Sequence, residues 1–123
     1  MIALDSSSLI AYFSGEEGDD VEQVEEAFVQ KLAVLPPVVL SEMLSDSELP
    51  AKVVKLIKEI PRLSVTDEYW VRVGFLRAKI LSKGLKARLA DTLIAQSCLD
   101  HQVPLVTRDS DFRHFVGHGL KIL

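Results

Sequence analysis

Four carboxylates stand where short apolar runs give way to polar residues. Asp5 directly follows IAL, Glu42 lies inside VVLSEML, Asp91 inside RLADTLIA, and Asp109 follows LVTR, with Asp111 two residues beyond it. Each has an ordinary explanation alone. Asp5 can cap the helix after it, Glu42 and Asp91 can complement helix dipoles in first turns, and Asp109 can cap a short turn. Gathered at one place they need more, because clustered carboxylates repel and raise one another's pKa unless a cation sits among them. Oxygen donors with no His or Cys cluster beside them suit a hard divalent ion, Mg²⁺ or Mn²⁺, which keeps several waters and needs only a few carboxylates.

Other chemistries fit less well. His114 and His118 stand four apart, but Gly117 and Gly119 speak against a continuous helix there, so zinc ligation is not expected. Ser6, Ser7 and Ser8 follow Asp5 with no sign of a paired histidine base, which disfavours a serine nucleophile. The sparse glycines argue against a phosphate-cradling loop.

The acids meet only if the elements carrying them share an edge. IAL (2–4) reads as a strand and SSSLIAYF (6–13) as a helix. DDVEQVEEAFVQKL (19–32) reads as an amphipathic helix with Asp at its cap, acids in its first turn, Lys31 in its last, and Val21, Val24, Phe28 and Leu32 on its apolar side. AVL (33–35) is a second strand, after which Pro36 and Pro37 start a helix through VVLSEMLS (38–45). Pro50 opens AKVVKLIKEI (51–60), whose Val53, Val54, Ile57 and Ile60 form one stripe before Pro61. RLSV (62–65) is the third strand. A long helix is expected from Asp67 to about Lys83, with Trp70, Val73, Leu76, Ile80 and Leu81 on its apolar side and Gly84 as its stop. Another runs from Arg88 to about His101, and LVT (105–107) and LKIL (120–123) complete five strands. Such alternation predicts right-handed crossovers and a mostly parallel sheet covered on both faces, an α/β fold. Strand C-termini and helix N-termini share one edge of that sheet, where ligands bind, so Asp5, Glu42, Asp91 and Asp109 are expected to converge there.

With 123 residues, 48% hydrophobic and 26% charged, the chain is expected to form one domain, residues 1–123, with a single core. No apolar run approaches the ~20 residues that span a bilayer. MIALDSSSLIAYF lacks a basic flank and carries Asp5 among its apolar residues, so a secretory signal is not expected and the cytoplasm is the expected compartment. Cys98 in LIAQSCL is expected to pack as a small hydrophobe. The net charge of −4 argues against a nucleic-acid partner, but its distribution does not. Seven of the 18 acids lie between Glu16 and Glu26, while the stretch from Tyr69 to Ala90 holds none and carries Arg72, Arg77, Lys79, Lys83, Lys86 and Arg88. The acidic run reads as a solvated helix face, and the basic run as a candidate phosphate surface.

IALDSSSLIAYF, VVLSEML, RLADTLIAQSCLDHQVPLVTRDSDF and the terminal LKIL together resemble the PIN-domain family, closely the VapC-type toxins of toxin–antitoxin pairs. The resemblance covers essentially the whole chain and is most specific in the third block. It implies a single PIN-like domain with strand order 3-2-1-4-5. It also implies a metal-dependent endoribonuclease in which Asp5, Glu42, Asp91 and Asp109 form the acidic site, with Ser7, Thr107 and Asp111 as secondary candidates. Either Asp109, Asp111 or both complete that site, around one Mg²⁺ or Mn²⁺ ion or two. Many relatives carry Thr and Asn where this chain has its triple serine.

One or two such ions would activate water for in-line attack on an RNA phosphodiester and stabilise the departing oxygen. Arg108, Arg113, Arg88 and Lys86 are the candidates for meeting the RNA, and no aromatic stacking array is evident. A homodimer neutralised by a cognate antitoxin is implied, and the apolar helices at 37–44 and 50–60 exceed what a small core obviously needs. The alternatives are a non-catalytic PIN-like binding or scaffold protein, and a housekeeping PIN nuclease without an antitoxin. A receiver domain fits less well because its acidic pair sits together after the first strand, where Asp5 is followed by SSS. A haloacid-dehalogenase-type phosphatase would place a second Asp where Ser7 stands.

Overall fold

A computed structural model describes residues 1–123. Its centre is a parallel sheet of three short strands, β1 (Ile2–Leu4), β2 (Ala33–Val34) and β3 (Leu105–Val106), in the order β2-β1-β3. Ile2 pairs with Ala33 and Ala3 with Val34 on one side, and Ala3 with Leu105 and Leu4 with Val106 on the other. Successive strand residues point to opposite faces, and Ala3 and Leu4 are both fully buried, so both faces of β1 are covered.

The expected five strands shrink to three. RLSV contributes one parallel bridge, Arg62 to Leu35, and LKIL one, Ile122 to Leu105. These bridges sit outside β2 and β3, so the spatial order is still 3-2-1-4-5, with the outermost members reduced to single residues. RLSV exposes Arg62, Ser64 and Val65 and buries only Leu63, too little apolar surface to hold a longer edge strand.

The helices are α1 (Ser6–Phe13), α2 (Asp19–Val29), α3 (Pro37–Leu44), α4 (Ala51–Glu59), α5 (Tyr69–Ser82) and α6 (Leu89–His101), followed by a 3₁₀ helix over Ser110–His118. Proline opens α3 at its first position, and Pro50 stands at the N-cap of α4. α6 is the most enclosed: Thr92 and the unbroken run Ile94, Ala95, Gln96, Ser97 and Cys98 are buried, between α3 and α5. Cys98 packs there as expected, and burial pushes its thiol up to about 12.

Three expectations change. α2 is capped by Gly18 rather than Asp and ends at Val29, so Lys31, at φ 57°, lies beyond it and not in its last turn. α5 starts two residues later than expected, after Glu68 in the left-handed region. Its buried stripe is Tyr69, Val73, Leu76 and Ile80, while Trp70 is 67% exposed and Leu81 also faces out. Tyr69 takes the inward place because its hydroxyl donates to the Leu93 carbonyl of α6 at 2.6 Å, which gives an amphipathic ring a partner for both its ends.

Candidate functional site

The register that pairs Leu4 with Val106 makes Asp5 and Thr107 neighbours at the C-terminal edge of the sheet. Asp5 is 3% exposed. It occupies the N-cap position of α1 but makes no side-chain cap bond. Its Oδ2 instead accepts from the Ser7 hydroxyl at 2.6 Å and the Thr107 hydroxyl at 2.7 Å. Thr107 Oγ1 in turn accepts the Asp109 N–H at 3.0 Å, so two strand ends are laced through one carboxylate. Burial raises the Asp5 pKa despite these donors.

Asp91 is in the first turn of α6, as expected. Its pKa is raised from the ordinary 3.8 to about 6, first by burial and then by the charges of Asp109, Asp5 and Glu42, with Arg88 opposing. The charges of the other three expected acids therefore all reach Asp91. Glu42 lies in the second turn of α3, toward the helix end that disfavours an anion, so dipole complementarity does not explain it. Its Oε1 is buried with no donor, and burial followed by the Asp5 charge raises its pKa.

Ligand atoms of Asp91, Asp109 and Asp111 lie within 4.8 Å of one another. Asp109 also caps the 3₁₀ helix by accepting the Asp111 N–H at 2.9 Å, so its ordinary role coexists with a place in the cluster. Asp111 differs from the others, since Lys86 at 3.2 Å, together with Arg113 and Arg88, holds its carboxyl below the usual range. An oxygen-only donor set, one orphaned buried carboxylate oxygen and an acid raised toward neutrality together fit a hard divalent cation.

The basic candidates divide. Arg88 is exposed and its side chain makes no bond. Lys86 is engaged with Asp111, and Arg113 donates to the Ser110 carbonyl at 2.8 Å. Arg108 turns away into the acidic run: Nε and Nη2 donate to the two carboxylate oxygens of Asp20 at 2.9 and 3.0 Å, and Nη1 to Glu16 at 3.3 Å. Arg72 pairs with Asp100, and Arg77 donates to the Ala87 carbonyl, which takes two more members out of the basic run. His114 and His118 do lie on one 3₁₀ helix, against expectation, but 120° per residue does not align residues four apart, and His114 Nδ1 meets the Lys86 carbonyl. The Lys86 and Arg108 pairings were not readable beforehand, although Gly18 directly before two aspartates was a sign of a close approach.

A family model described as PIN domain matches residues 2–117. No curated protein matches the chain. Among solved structures it is similar to FitAcB from Neisseria gonorrhoeae, at 16% identity and TM-score 0.72, over 100% of this chain and 96% of that one. It is similar to FitAB bound to an IR36 DNA fragment, at 16% identity and TM-score 0.75, over 100% of this chain and 94% of that one. It is also similar to VapBC2 from Rickettsia felis bound to a DNA fragment from their promoter, at 20% identity and TM-score 0.75, over 100% and 98%. At these identities the likeness is one of fold. No helix is long and apolar enough to cross a membrane.

Proposed function

The chain belongs to the PIN-domain family, and on that premise we propose that it is a divalent-metal-dependent endoribonuclease, the toxin of a toxin–antitoxin pair. One observation carries the reading: ligand atoms of Asp91, Asp109 and Asp111 lie within 4.8 Å of one another, and the charges of Asp5 and Glu42 also act on Asp91. Asp91 stands at about 6 and Glu42 Oε1 is buried without a partner.

In this reading Asp91, Asp109 and Asp111 hold Mg²⁺ or Mn²⁺, with Asp5 and Glu42 behind them. Bound there, the ion supplies Lewis acidity toward the phosphodiester and a lowered pKa for the attacking water. Ser7 and Thr107 favour the ionised form of Asp5 against its burial and fix its orientation by donating to its Oδ2. Arg88, exposed beside Asp91, is placed to meet a phosphate, and Lys86 can exchange Asp111 for RNA once a cation shares that carboxylate. Purified protein should cleave single-stranded RNA with Mn²⁺ and stop in chelator. Cleavage that persists in chelator would rule the reading out.

An antitoxin partner is favoured by the likeness to FitAB and VapBC2, and a homodimer by the outer face of α5. The surplus apolar surface expected on the helices at 37–44 and 50–60 is larger on α5, where Trp70, Val71, Phe75 and Leu81 are all exposed. Gly74 lies among them with nothing within 4 Å of where its Cβ would be, a helix-weakening choice that the single chain does not require. Antiparallel pairing with a second copy would set Asp67 and Glu68, before the helix, against Lys79 and Lys83 near its end. Phe75→Lys should then convert a dimer to a monomer in light scattering, and a parent protein that is monomeric at micromolar concentration would overturn the dimer.

A further inference from the structure

We propose that Arg108 is a positioning residue: its guanidinium, seated in a socket made by Asp20, Glu16 and the Glu17 carbonyl, holds segment 107–111 against Asp5 and thereby fixes the Asp109 carboxylate. The inference rests on the metal-site reading above and adds to it a residue from outside the acid cluster and a use for part of the acidic run.

The residue sits at the centre of the segment that carries the chemistry. Thr107 before it donates to Asp5, and Asp109 after it belongs to the carboxylate cluster. Its own N–H donates to Ser7 Oγ at 3.2 Å, and Ser7 donates to Asp5. The backbone of segment 107–109 is therefore tied to Asp5 on its inner side. The Arg108 side chain anchors the outer side, reaching across to the loop between α1 and α2 and the start of α2.

That anchor has the features of a built contact. The guanidinium meets Asp20 through two parallel N–H···O bonds, the fork geometry that arginine alone provides, and adds the Glu17 carbonyl at 3.2 Å. Side-chain exposure is 33% for Arg108 and 14% for Asp20, so the pair is partly withdrawn from solvent. The Arg108 bond holds the Asp20 carboxyl below its usual range. Gly18, at φ 148°, makes room for it: a Cβ there would stand 2.7 Å from Asp20 Oδ1 and 3.1 Å from Arg108 Nη2. An arginine free to grip RNA would first have to leave the two carboxylates and the carbonyl.

The test compares Arg108→Gln with Asp20→Asn, since Asp20 touches Arg108 and is not among the clustered acids. Amide exchange of Asp109 and Asp111 is read on metal-free protein, the Mn²⁺ dissociation constant by calorimetry, and kcat and KM on a fluorescein-labelled single-stranded oligoribonucleotide of mixed sequence. Both variants should speed exchange at the two amides and raise the Mn²⁺ dissociation constant about tenfold, the lower end for groups that orient metal ligands. Both should lower kcat with KM little changed, and the double variant should be no worse than either single one. Arg108→Lys, which keeps the charge but not the fork, should fall between and replaces Arg108→Gln if that variant does not fold. A raised KM in Arg108→Gln with Asp20→Asn unaffected would make Arg108 an RNA contact and overturn the proposal. So would lowered melting temperatures with exchange and Mn²⁺ affinity unchanged, since the pair would then only support the fold. If the parent neither binds Mn²⁺ nor cleaves RNA, the nuclease reading fails, yet equal loss of amide protection in both variants still supports the socket, and unchanged protection in either overturns it.

Discussion

The two ends of α6 each carry an aspartate, and the two are treated in opposite ways. Asp100, near the C-terminus, has a side chain only 9% exposed at the helix end that disfavours an anion. Yet it is fully provided for: Thr66 Oγ1 donates at 2.8 Å, Gln96 Nε2 at 2.9 Å, and Arg72 forms an ion pair with it. Burial alone would raise its pKa, but these donors outweigh burial and the carboxyl ends below its usual range. Asp91, at the favourable N-terminal end, receives no such donors and rises to about 6 among other acids. The fold supplies partners to the aspartate at one end and withholds them from the one in the acid cluster, where a cation is proposed to bind. The position of uncompensated charge is thus more telling than the number of acids.

The sharpest way to break the comparison is to add Mn²⁺. Metal bound only by the native state stabilises by mass action, about 2.7 kcal/mol when free ion is a hundredfold above its dissociation constant. The parent should therefore melt several degrees higher with Mn²⁺, while Asp91→Asn should gain little and lose RNA cleavage. Equal shifts in both, or full activity in the variant, would make Asp91 a helix-end charge and nothing more.

Asp100→Ala should behave in the converse manner. It removes an acceptor on which three donors converge, at a place half open to solvent on the Arg72 side. The expected loss is about 1.5 kcal/mol in urea denaturation, within the range for hydrogen bonds to charged groups. The Mn²⁺ shift should survive intact. A variant as stable as the parent would mean that the Thr66, Arg72 and Gln96 contacts are replaced by water at no cost, and the contrast between the helix ends would lose its structural half.

The comparison also separates what the sequence made legible from what it did not. Asp5 stood out because it directly follows a short apolar strand, Asp109 because it comes soon after another, and Asp91 because it lies in the first turn of a helix with a clear start. The α/β class followed from the alternation of elements. The edge strands did not, because a run such as RLSV carries strand propensity whether or not its neighbour buries it. The outward face of α5 misled because Tyr69 and Trp70 are adjacent aromatics about 100° apart on the helix, and only the Leu93 carbonyl decides which turns inward. Arg72 and Arg108 looked like phosphate contacts in a linear count of charge. Their partners, Asp100 and Asp20, are 28 and 88 residues away, and no local pattern encodes that distance.

A further expected effect is on stability against pH in metal-free protein, and its sign is informative. Folded Asp91 holds its proton up to about pH 6, against an ordinary 3.8. Below about pH 4 both folded and unfolded chains carry that proton, and the group costs nothing. Between those values the folded state binds more protons than the unfolded one, so stability falls as pH rises, and above about pH 6 the penalty is complete. Asp91→Asn has no such fall; the helix dipole favours only the ionised carboxylate, so its ~0.3–1 kcal/mol moderates the parent's penalty above about pH 6 and is absent near pH 4. Asp5 and Glu42 titrate in both proteins, so the difference between parent and variant reports Asp91 to first order. In chelator the two proteins should be about equally stable near pH 4, where folded Asp91 is neutral like the amide, and the parent should be the less stable by pH 7.5. Asp100 gives the opposite slope, because the stability contributed by its depressed pKa is present above the unfolded value and lost as pH falls. Subtracting Asp91→Asn should therefore leave a curve that falls with pH, and subtracting Asp100→Ala one that rises. Two curves of the same sign would show that both carboxylates are compensated alike, and that the fold keeps no charge in reserve at the sheet edge.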